Sequence, residues 1–436
     1  MKKLFFIEDS LSNKITYYHL LFFIAFLPFD LFFSEVILIS LSIHTLINLN
    51  LKLLKGLIRR DVIIVQGIFI LTFISCLYTF DRNAGFSLLS RQLAILIFPI
   101  ILFVTPLNLQ QYRSRLLSAF AIVCALTITY LYFDAIRVIR FNHLPFKAIF
   151  SNSFINHNFS LPIRIHATYL SMYCALSLCY LLFVLFHTEK LLNRYLILTG
   201  VFILSAGLMQ LASKSVIITS LICACIIIPL FLNKRNRLVL TIALTLPIVT
   251  GSVVIFNMKS FHERFISDLT SDLKNRNLEF SVSSTRMQRW LLGWELFTDA
   301  PVFGHGSGEE LQLLRNKYFD KGLYHAFIFR LNAHNQYLSL MIKSGILGLL
   351  IYGYILFYGI QSAIRHRDSL FLCFLLFVII VSLSENLLDV NKGIFFYAFF
   401  FSFFLVGKNR PDHTLNQSAS GNQKLKIDVF NHETPP

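Results

Sequence analysis

The sequence predicts an all-α integral membrane protein of about twelve transmembrane helices with one large, partly helical loop on the outer side. Of its 436 residues, 56% are hydrophobic and only 14% are charged, which is too little polar surface to cover a soluble globule. The 46 phenylalanines are typical of lipid-facing helices. Apolar runs of about 20 residues, the length that crosses a bilayer as a helix, recur along the chain.

The apolar runs fall into two groups, one on each side of a polar segment. The first group, within residues 1–257, predicts about nine helices at 15–33, 35–51, 61–80, 88–106, 116–136, 166–186, 196–212, 215–232 and 238–257. The polar loop 258–335 follows, and the second group, within 336–407, predicts about three helices at 336–360, 369–386 and 393–407. Residues 408–436 are rich in Asn, Gln, Ser and Pro and are predicted to form a flexible cytoplasmic tail. The first two spans should divide at Ser34-Glu35, and the seventh and eighth at Ser213-Lys214.

The positive charges predict how the chain is oriented in the membrane. Counted from a cytoplasmic N-terminus, every second loop is basic, with Lys52, Lys55, Arg59 and Arg60; Arg113 and Arg115; Lys190 and Arg194; Lys234, Arg235 and Arg237; and Arg365 and Arg367. Such loops face the cytoplasm in membrane proteins. The loop 258–335 has ten Lys and Arg against nine Asp and Glu, which agrees with an outward position.

The remaining composition excludes several classes of function. The net charge of +16 is spread over short clusters between apolar runs, which indicates anionic lipid head groups rather than nucleic acid as partners. The sequence has no Gly-rich nucleotide loop, so no nucleotide cofactor is expected. All seven cysteines lie in apolar stretches and are interpreted as small core residues, so neither a disulfide framework nor a metal site is expected.

The residues with chemical potential concentrate between Ser283 and Gly348. Arg286 lies four residues before Trp290, and both Arg286 and Arg289 fall in the first turn of a predicted helix that Pro301 ends. Three further motifs follow in order, Pro301-Val302-Phe303-Gly304-His305-Gly306, His334-Asn335-Gln336-Tyr337-Leu338 and Gly345-Ile346-Leu347-Gly348. Backbone N–H groups at a helix start favour anions, so the arginine pair would suit phosphate.

This ordered set of motifs resembles the O-antigen ligase and O-antigen polymerase superfamily, membrane glycosyltransferases that use lipid-pyrophosphate-linked sugars. The resemblance implies metal-independent transfer of a glycan from undecaprenyl-pyrophosphate to an acceptor hydroxyl, at the periplasmic face of a bacterial inner membrane. A ligase and a polymerase differ in the acceptor, which is the lipid A core or the end of another glycan. Both alternatives stay open. A lipid-linked sugar flippase or transporter is the alternative from another class, although the chain has no internal repeat.

The resemblance assigns roles to individual residues. Arg286 matches the superfamily's loop arginine, which implies that it binds the donor phosphate, and Lys214 occupies a place where many members carry arginine. Arg289 and Arg91 are further candidate phosphate ligands, because arginine meets phosphate oxygens with a charged planar fork. Each of these cations could instead lie near lipid head groups as a surface side chain. His334 matches the superfamily's histidine and is the candidate base, since its unperturbed pKa is about 6.5.

Four residues are expected to support the site. His166 and Tyr169 resemble a His-x-x-Tyr motif seen in some relatives, Asn335 follows the candidate base, and Glu385 lies at the outer end of the eleventh span. A glutamate at that position could pair with one of the cations or orient the histidine. The alternative for His334 and His166 is that both are hydrogen-bonding residues at the membrane boundary.

Overall fold

A computed structural model describes residues 6–29, 31–49, 57, 59–188, 191–241, 256–267, 270 and 286–406. Every regular element in these described residues is helical, as the sequence predicts. The main helices, numbered in chain order, are α1 (Leu11–Phe26), α2 (Leu31–Ile47), α3 (Arg60–Cys76), α4 (Arg82–Arg91), α5 (Leu93–Val104), α6 (Leu109–Phe141), α7 (Ala167–Leu185), α8 (Leu191–Leu211), α9 (Lys214–Leu230), α10 (Arg286–Asp299), α11 (Glu310–Asp320), α12 (Tyr324–Ile328), α13 (Gln336–Arg365), α14 (Ser369–Val381) and α15 (Asn391–Val406). Short helical turns connect α6 to α7 between Phe146 and Ile163.

Within the described residues, five helical segments are long and apolar enough to cross a membrane. They are Arg82–Val104, Leu109–Phe141, Ala167–Leu185, Leu191–Leu211 and Gln336–Arg365. Shorter apolar helices cover Phe32–Ile47, Lys214–Leu230, Ser369–Val381 and Asn391–Leu405. The chain is therefore a multi-pass membrane protein. The total of twelve spans stays a prediction, because most of the span expected at 238–257 and the tail 408–436 lie outside the described residues.

The first two helices divide earlier than the sequence pattern indicates. The break lies between Phe26 and Leu31, where Pro28 supplies no backbone N–H to continue α1. Ser34 and Glu35, the expected boundary, lie inside α2 instead. Glu35 keeps a polar partner there, because its Oε1 accepts a hydrogen bond from Asn391 Nδ2 at 2.9 Å. The expected boundary at Ser213-Lys214 is confirmed, since α8 ends at Leu211 and α9 begins at Lys214.

Helix α14 is shorter than the apolar run that predicts it. It ends at Val381 instead of 386, and residues 382–390 form a loop between α14 and α15. The amide of Gln92, at the joint between α4 and α5, donates a hydrogen bond to the carbonyl of Leu388 in this loop at 2.9 Å. This hydrogen bond anchors the loop 382–390 to the joint between α4 and α5.

Helix α13 is interrupted at Gly345, whose φ of 63° is left-handed. The turn at residues 301–306 fills the interruption, because the N–H groups of His305 and Gly306 donate to the carbonyls of Ile342 and Lys343, both at 2.9 Å. In return, the N–H of Ile346 donates to the carbonyl of Pro301 at 2.8 Å. Two of the sequence motifs thus form one structural unit, in which backbone groups freed by the break find partners.

Loops that are predicted to face outward contact one another on one face of the helix bundle. The N–H of Gly308 donates to Thr79 Oγ1 at 3.1 Å, and the N–H of Asp81 donates to Glu309 Oε1 at 2.6 Å. These contacts join the loop 77–81 to the segment after α10. Helices α10, α11 and α12 pack on each other through a small apolar core that includes Leu292, Leu296, Leu314, Tyr318 and Leu323.

The basic loops meet on the other face. Arg113 forms an ion pair with Asp368 at 2.7 Å, which joins the start of α6 to the loop between α13 and α14. The N-terminal segment lies here too, since Tyr112 donates to Asp9 Oδ2 at 3.1 Å and Arg115 donates to the carbonyl of Phe6 at 3.4 Å. The loops thus group as the charge pattern predicts, while the side of the membrane that each group faces stays a prediction.

Candidate active site

The motif His334-Asn335-Gln336-Tyr337 attaches the start of α13 to the region around the loop 382–390. Asn335 caps the helix by accepting hydrogen bonds from the N–H groups of Tyr337 and Leu338 at 3.0 and 3.2 Å. Its own N–H donates to Asn386 Oδ1 at 2.9 Å. Gln336 Oε1 accepts from the N–H of Leu388 at 2.7 Å, and the Tyr337 hydroxyl donates to a carbonyl at the end of α14 at 2.9 Å.

This attachment brings the candidate base next to a carboxylate. His334 has a left-handed backbone with φ of 47°, and its N–H donates to Asn332 Oδ1 at 3.0 Å. Its Nδ1 lies 3.3 Å from Glu385 Oε2, which is within ion-pair distance although the angle does not fit a hydrogen bond. The Glu385 side chain is 9% exposed, and Thr168 donates to its other oxygen at 3.4 Å. A left-handed non-glycine residue that is held by its neighbours is a feature found at functional sites.

The surroundings keep Glu385 ionised. Burial by itself is the largest effect and raises the pKa of Glu385, but the contact with His334 and the interactions with His166 and Arg286 outweigh it and hold the pKa below its usual value of 4.5. Arg286 therefore acts electrostatically on this carboxylate from the first residue of α10.

A pair of histidines lies on the other side of Glu385. The rings of His157 and His166 are 4.0 Å apart, and His157 Nδ1 accepts a hydrogen bond from the N–H of Ala167 at 3.4 Å. Desolvation, with neighbouring positive charge, lowers the pKa of His157 to about 4 and also lowers that of His166. Both rings are thus neutral at pH 7. His166 Nδ1 is buried without a hydrogen-bond partner among the described residues, and Tyr169 packs beside the same ring at 5.5 Å.

The two arginines of α10 occupy different surroundings. Arg286 is half-buried and acts electrostatically on Glu385 and His166. Arg289 is buried, and its positive charge acts on the hydroxyl of Tyr318 in α11. Trp290, on the same helix, donates from Nε1 to the carbonyl of Ala333 at 3.1 Å. The Arg286 and Trp290 motif therefore fixes the backbone immediately before the candidate base.

A second polar cluster lies beneath the first. The Lys343 ammonium is 2.9 Å from Glu310 Oε2 and 2.7 Å from Asp389 Oδ2, and Asn386 donates to a carboxylate oxygen of each at 3.2 and 2.9 Å. Ser339 also donates to Glu310. This cluster ties α11 to α13 and to the loop 382–390, and Asn386 links it to the His334 segment.

The last two candidate phosphate ligands lie at the edges of these clusters. Arg91 ends α4, and its Nη1 donates to the carbonyl of Asp389 at 3.0 Å, while its Nε donates to that of Ser87 at 3.1 Å. Lys214 begins α9, and the next residue, Ser215, accepts a hydrogen bond from Ser384 at 3.1 Å. Both cations are therefore attached through neighbouring atoms to the loop that carries Glu385.

Comparison with known proteins finds a family that resembles part of the chain. Residues 199–353, about a third of the chain, match the family model described as O-antigen ligase. This match supports membership of the O-antigen ligase superfamily. The O-antigen ligase match begins within α8 and ends within α13, so it includes Lys214, Arg286 and His334. An uncharacterized protein of Haemophilus influenzae is 28% identical over 181 residues, which is 38% of this chain and 44% of that relative, so the chain spans less than half of the relative's length.

The O-antigen ligase resemblance did not predict several residues of the site. Glu310, Asn386 and Asp389 form the cluster around Lys343, and the ring of His157 lies tilted against that of His166. The sequence signal for Asp389 and Asn386 is weak but present, because they lie within four residues of Glu385 at the end of an apolar run. Glu310 has no such signal, because it lies about thirty residues before Ser339 and Lys343, and His157 has none because it lies in a polar segment without a recognisable motif.

The cysteines are mostly core residues, as expected. All seven are free, and six of them are buried, whereas Cys225 is exposed on the surface of α9 because it faces away from the bundle. The thiols of Cys179, Cys223 and Cys373, from three different helices, lie within 4.8 Å of one another. Their separation along the chain gave no hint of this proximity.

Proposed function

We propose that this protein is a membrane glycosyltransferase of the O-antigen ligase type, which moves a glycan from undecaprenyl-pyrophosphate to an acceptor hydroxyl at the periplasmic face of the bacterial inner membrane. The observation that carries the proposal is the contact between His334 Nδ1 and the ionised Glu385 at 3.3 Å, within the positive potential of Arg286. Transfer from a lipid pyrophosphate needs a base for the acceptor and positive charge for the leaving group, and these residues supply both.

His334 is the proposed general base. A carboxylate can only accept a hydrogen bond, so Glu385 favours the tautomer of His334 that carries its proton on Nδ1. Nε2 is then unprotonated and takes the proton of the acceptor hydroxyl as the oxygen attacks the anomeric carbon. Glu385 also stabilises the imidazolium that forms. The neutral His166, whose Nδ1 has no hydrogen-bond partner among the described residues, is positioned to hold a sugar or acceptor hydroxyl near this pair.

Arg286 is the proposed main ligand of the pyrophosphate, with Lys214, Arg91 and Arg289 in secondary roles. Arg286 shares the electrostatic environment of Glu385, so a phosphate bound to it would lie near the proposed base. Cationic side chains are proposed to stabilise the leaving group without a metal ion. Arg289 is the weakest of the four candidates, because its buried position beside Tyr318 favours a role in holding α10 on α11.

A transporter is the alternative that one observation favours, because interrupted helices such as α13 are common at transport sites. In this protein, however, the carbonyls and N–H groups freed at Gly345 are bonded to residues 301–306 and do not line a cavity. The interruption therefore serves to join the outer loop to the membrane helices. This observation supports the enzyme over the transporter.

The test is turnover of lipid-linked glycan by purified protein in detergent, where no ion gradient exists. The wild-type protein should release undecaprenyl-pyrophosphate when an acceptor is added. The turnover rates of His334→Ala and Arg286→Ala should each fall by a factor of about 10² to 10⁴. Arg286→Lys should recover only part of the rate because lysine lacks the planar fork. Arg330→Ala, which alters an exposed arginine of the same outer region, is the matched control. Normal turnover by both His334→Ala and His334→Gln would contradict the proposal.

The acceptor is tested by deletion of the gene and analysis of the surface glycans. A lipid A core that lacks polymer identifies a ligase, whereas a core with single repeats identifies a polymerase. Reporter fusions test the proposed orientation, since fusions after Arg60 and Asn236 should report a cytoplasmic position and a fusion near Lys317 a periplasmic one. A cytoplasmic report near Lys317 would reverse the orientation of the site.

A further inference from the structure

A cavity of about 840 Å³ lies on the side of the bundle away from His334, between α7, α8, α9 and the segment 233–240. This volume lies in the range of about 300–1,000 Å³ that is usual for ligand sites. Its walls are apolar over most of their length and include Leu182, Leu198, Val201, Leu208 and Leu221. The cavity shares none of its lining residues with the proposed active site.

The charged and amide side chains of the cavity gather at one end, while Ser205 and Ser220 lie along its walls. Arg194, Asn233, Arg235 and Asn236 line the end that lies with the basic loops, whereas Met209 and Ile217 line the opposite end. No carboxylate belongs to the described lining. The Nε of Arg194 donates to the carbonyl of Thr188 at 2.6 Å, which holds the side chain at the cavity end. The cavity therefore has a cationic mouth and an apolar interior.

The shape of the cavity matches an amphiphile. From Arg194 to Met209 helix α8 rises by about 22 Å, so the apolar walls extend for most of a membrane span from the cationic mouth. Leu198, Leu221 and Val239 line the cavity and are also exposed on the surface of the described residues, at 47%, 41% and 51%. The cavity is thus open sideways, toward the hydrocarbon of the membrane.

We propose that this cavity binds an anionic phospholipid from the leaflet next to the basic loops, with its phosphate on Arg194 and Arg235 and an acyl chain along α8. Basic pockets between transmembrane helices on the cytoplasmic side bind anionic lipid head groups in this way. A polyprenyl carrier with its pyrophosphate at the opposite face would place its charge near Met209 and Ile217. Lys214 lies one turn before Ile217 but does not line the cavity, so the described lining has two arginines at one end and no cation at the other. The charge distribution therefore favours a phospholipid of the near leaflet, and this inference does not depend on the proposed glycan transfer.

The test uses the full-length protein in phosphatidylcholine nanodiscs with a trace of phosphatidylglycerol that has a photoreactive diazirine on its acyl chain. After irradiation and digestion, labelled peptides should map to 178–186, 198–209 and 217–224. At probe concentrations below saturation, removal of each arginine should lower labelling about fivefold. Arg194→Gln combined with Arg235→Gln should therefore lower labelling about 25-fold. Lys234→Gln removes the same charge from the same loop without lining the cavity, and it should label as the wild type does.

A second variant tests the apolar part of the cavity. Ser205→Phe places a large ring among the apolar walls, so it should lower labelling while the cationic mouth is kept. Three outcomes would each overturn the proposal. The first is equal labelling by a phosphatidylcholine probe, and the second is equal labelling of the double variant and Lys234→Gln. The third is stronger displacement by undecaprenyl phosphate than by phosphatidylglycerol. Size-exclusion profiles that match the wild type ensure that lost labelling reports binding and not unfolding.

Discussion

Replacement of Lys343 by methionine should destabilise the protein more than any surface substitution. The side chain is 7% exposed, and its ammonium lies within 2.9 Å of Glu310 and 2.7 Å of Asp389. Methionine fills much of the same volume but leaves the buried carboxylate of Glu310 and the partly buried one of Asp389 without their cation. Removal of one partner from a buried ion pair costs about 3–5 kcal/mol. Uptake of a proton by one carboxylate, together with the hydrogen bonds from Ser339 and Asn386, keeps the cost near the lower end of this range.

The measurement is the thermal unfolding midpoint in detergent, followed by the fluorescence of Trp290 and Trp294 in α10. For a chain of this length, a loss near 3 kcal/mol should lower the midpoint by about 3–4 °C. Lys321→Met removes an exposed lysine at the end of α11 and is the matched control, with an expected change within about 0.5 kcal/mol. Glu310→Gln and Asp389→Asn, added to Lys343→Met, should restore most of the loss because no unpaired charge remains. A midpoint for Lys343→Met that equals the control would show that water solvates the cluster and would refute the reasoning.

Three further predictions follow from the geometry around the site. Gly345→Ala places a Cβ about 2.2 Å from the Val302 carbonyl in a left-handed backbone, so it should lower the unfolding midpoint by several degrees, whereas Gly353→Ala, with open space, should not. Glu385→Gln should lower the rate of glycan transfer and leave donor binding unchanged, as measured by turnover and by retention of labelled donor. His157 binds a proton below about pH 6.5 in the unfolded chain but only near pH 4 in the folded protein, so stability should fall as the pH falls through this window, and His157→Gln should flatten the dependence of the midpoint on pH.

Local patterns of the sequence predict most of the helices correctly. Hydropathy recurs over stretches of about 20 residues, so the apolar runs identify α6, α7, α8 and α13 without any knowledge of their neighbours. The predicted helix at Arg286 is confirmed as Arg286–Asp299, and Pro301 follows two residues after its end. The charge pattern also groups the loops into two faces, because the Arg113 and Asp368 pair joins two loops of the same predicted side.

The ends of several helices depend on tertiary contacts and could not be predicted in this way. The apolar run to residue 386 continues past the true end of α14, because the loop 382–390 is stabilised by Gln336 and Gln92 from other helices. The interruption at Gly345 likewise needs the turn at 301–306, about forty residues earlier, to bond its free backbone groups.

By itself, the sequence determined that the chain is helical and apolar enough to cross a membrane, and it located the motifs around Arg286 and His334. Those properties depend on residue type and on spacing along one helix. Only the tertiary structure decided which charges meet, because Glu385 reaches His334 and Asp389 reaches Lys343 across about fifty residues of chain. An ion pair in an apolar interior forms where packing leaves two charges no other partner. Helix packing therefore turned a set of separate polar residues into one connected site.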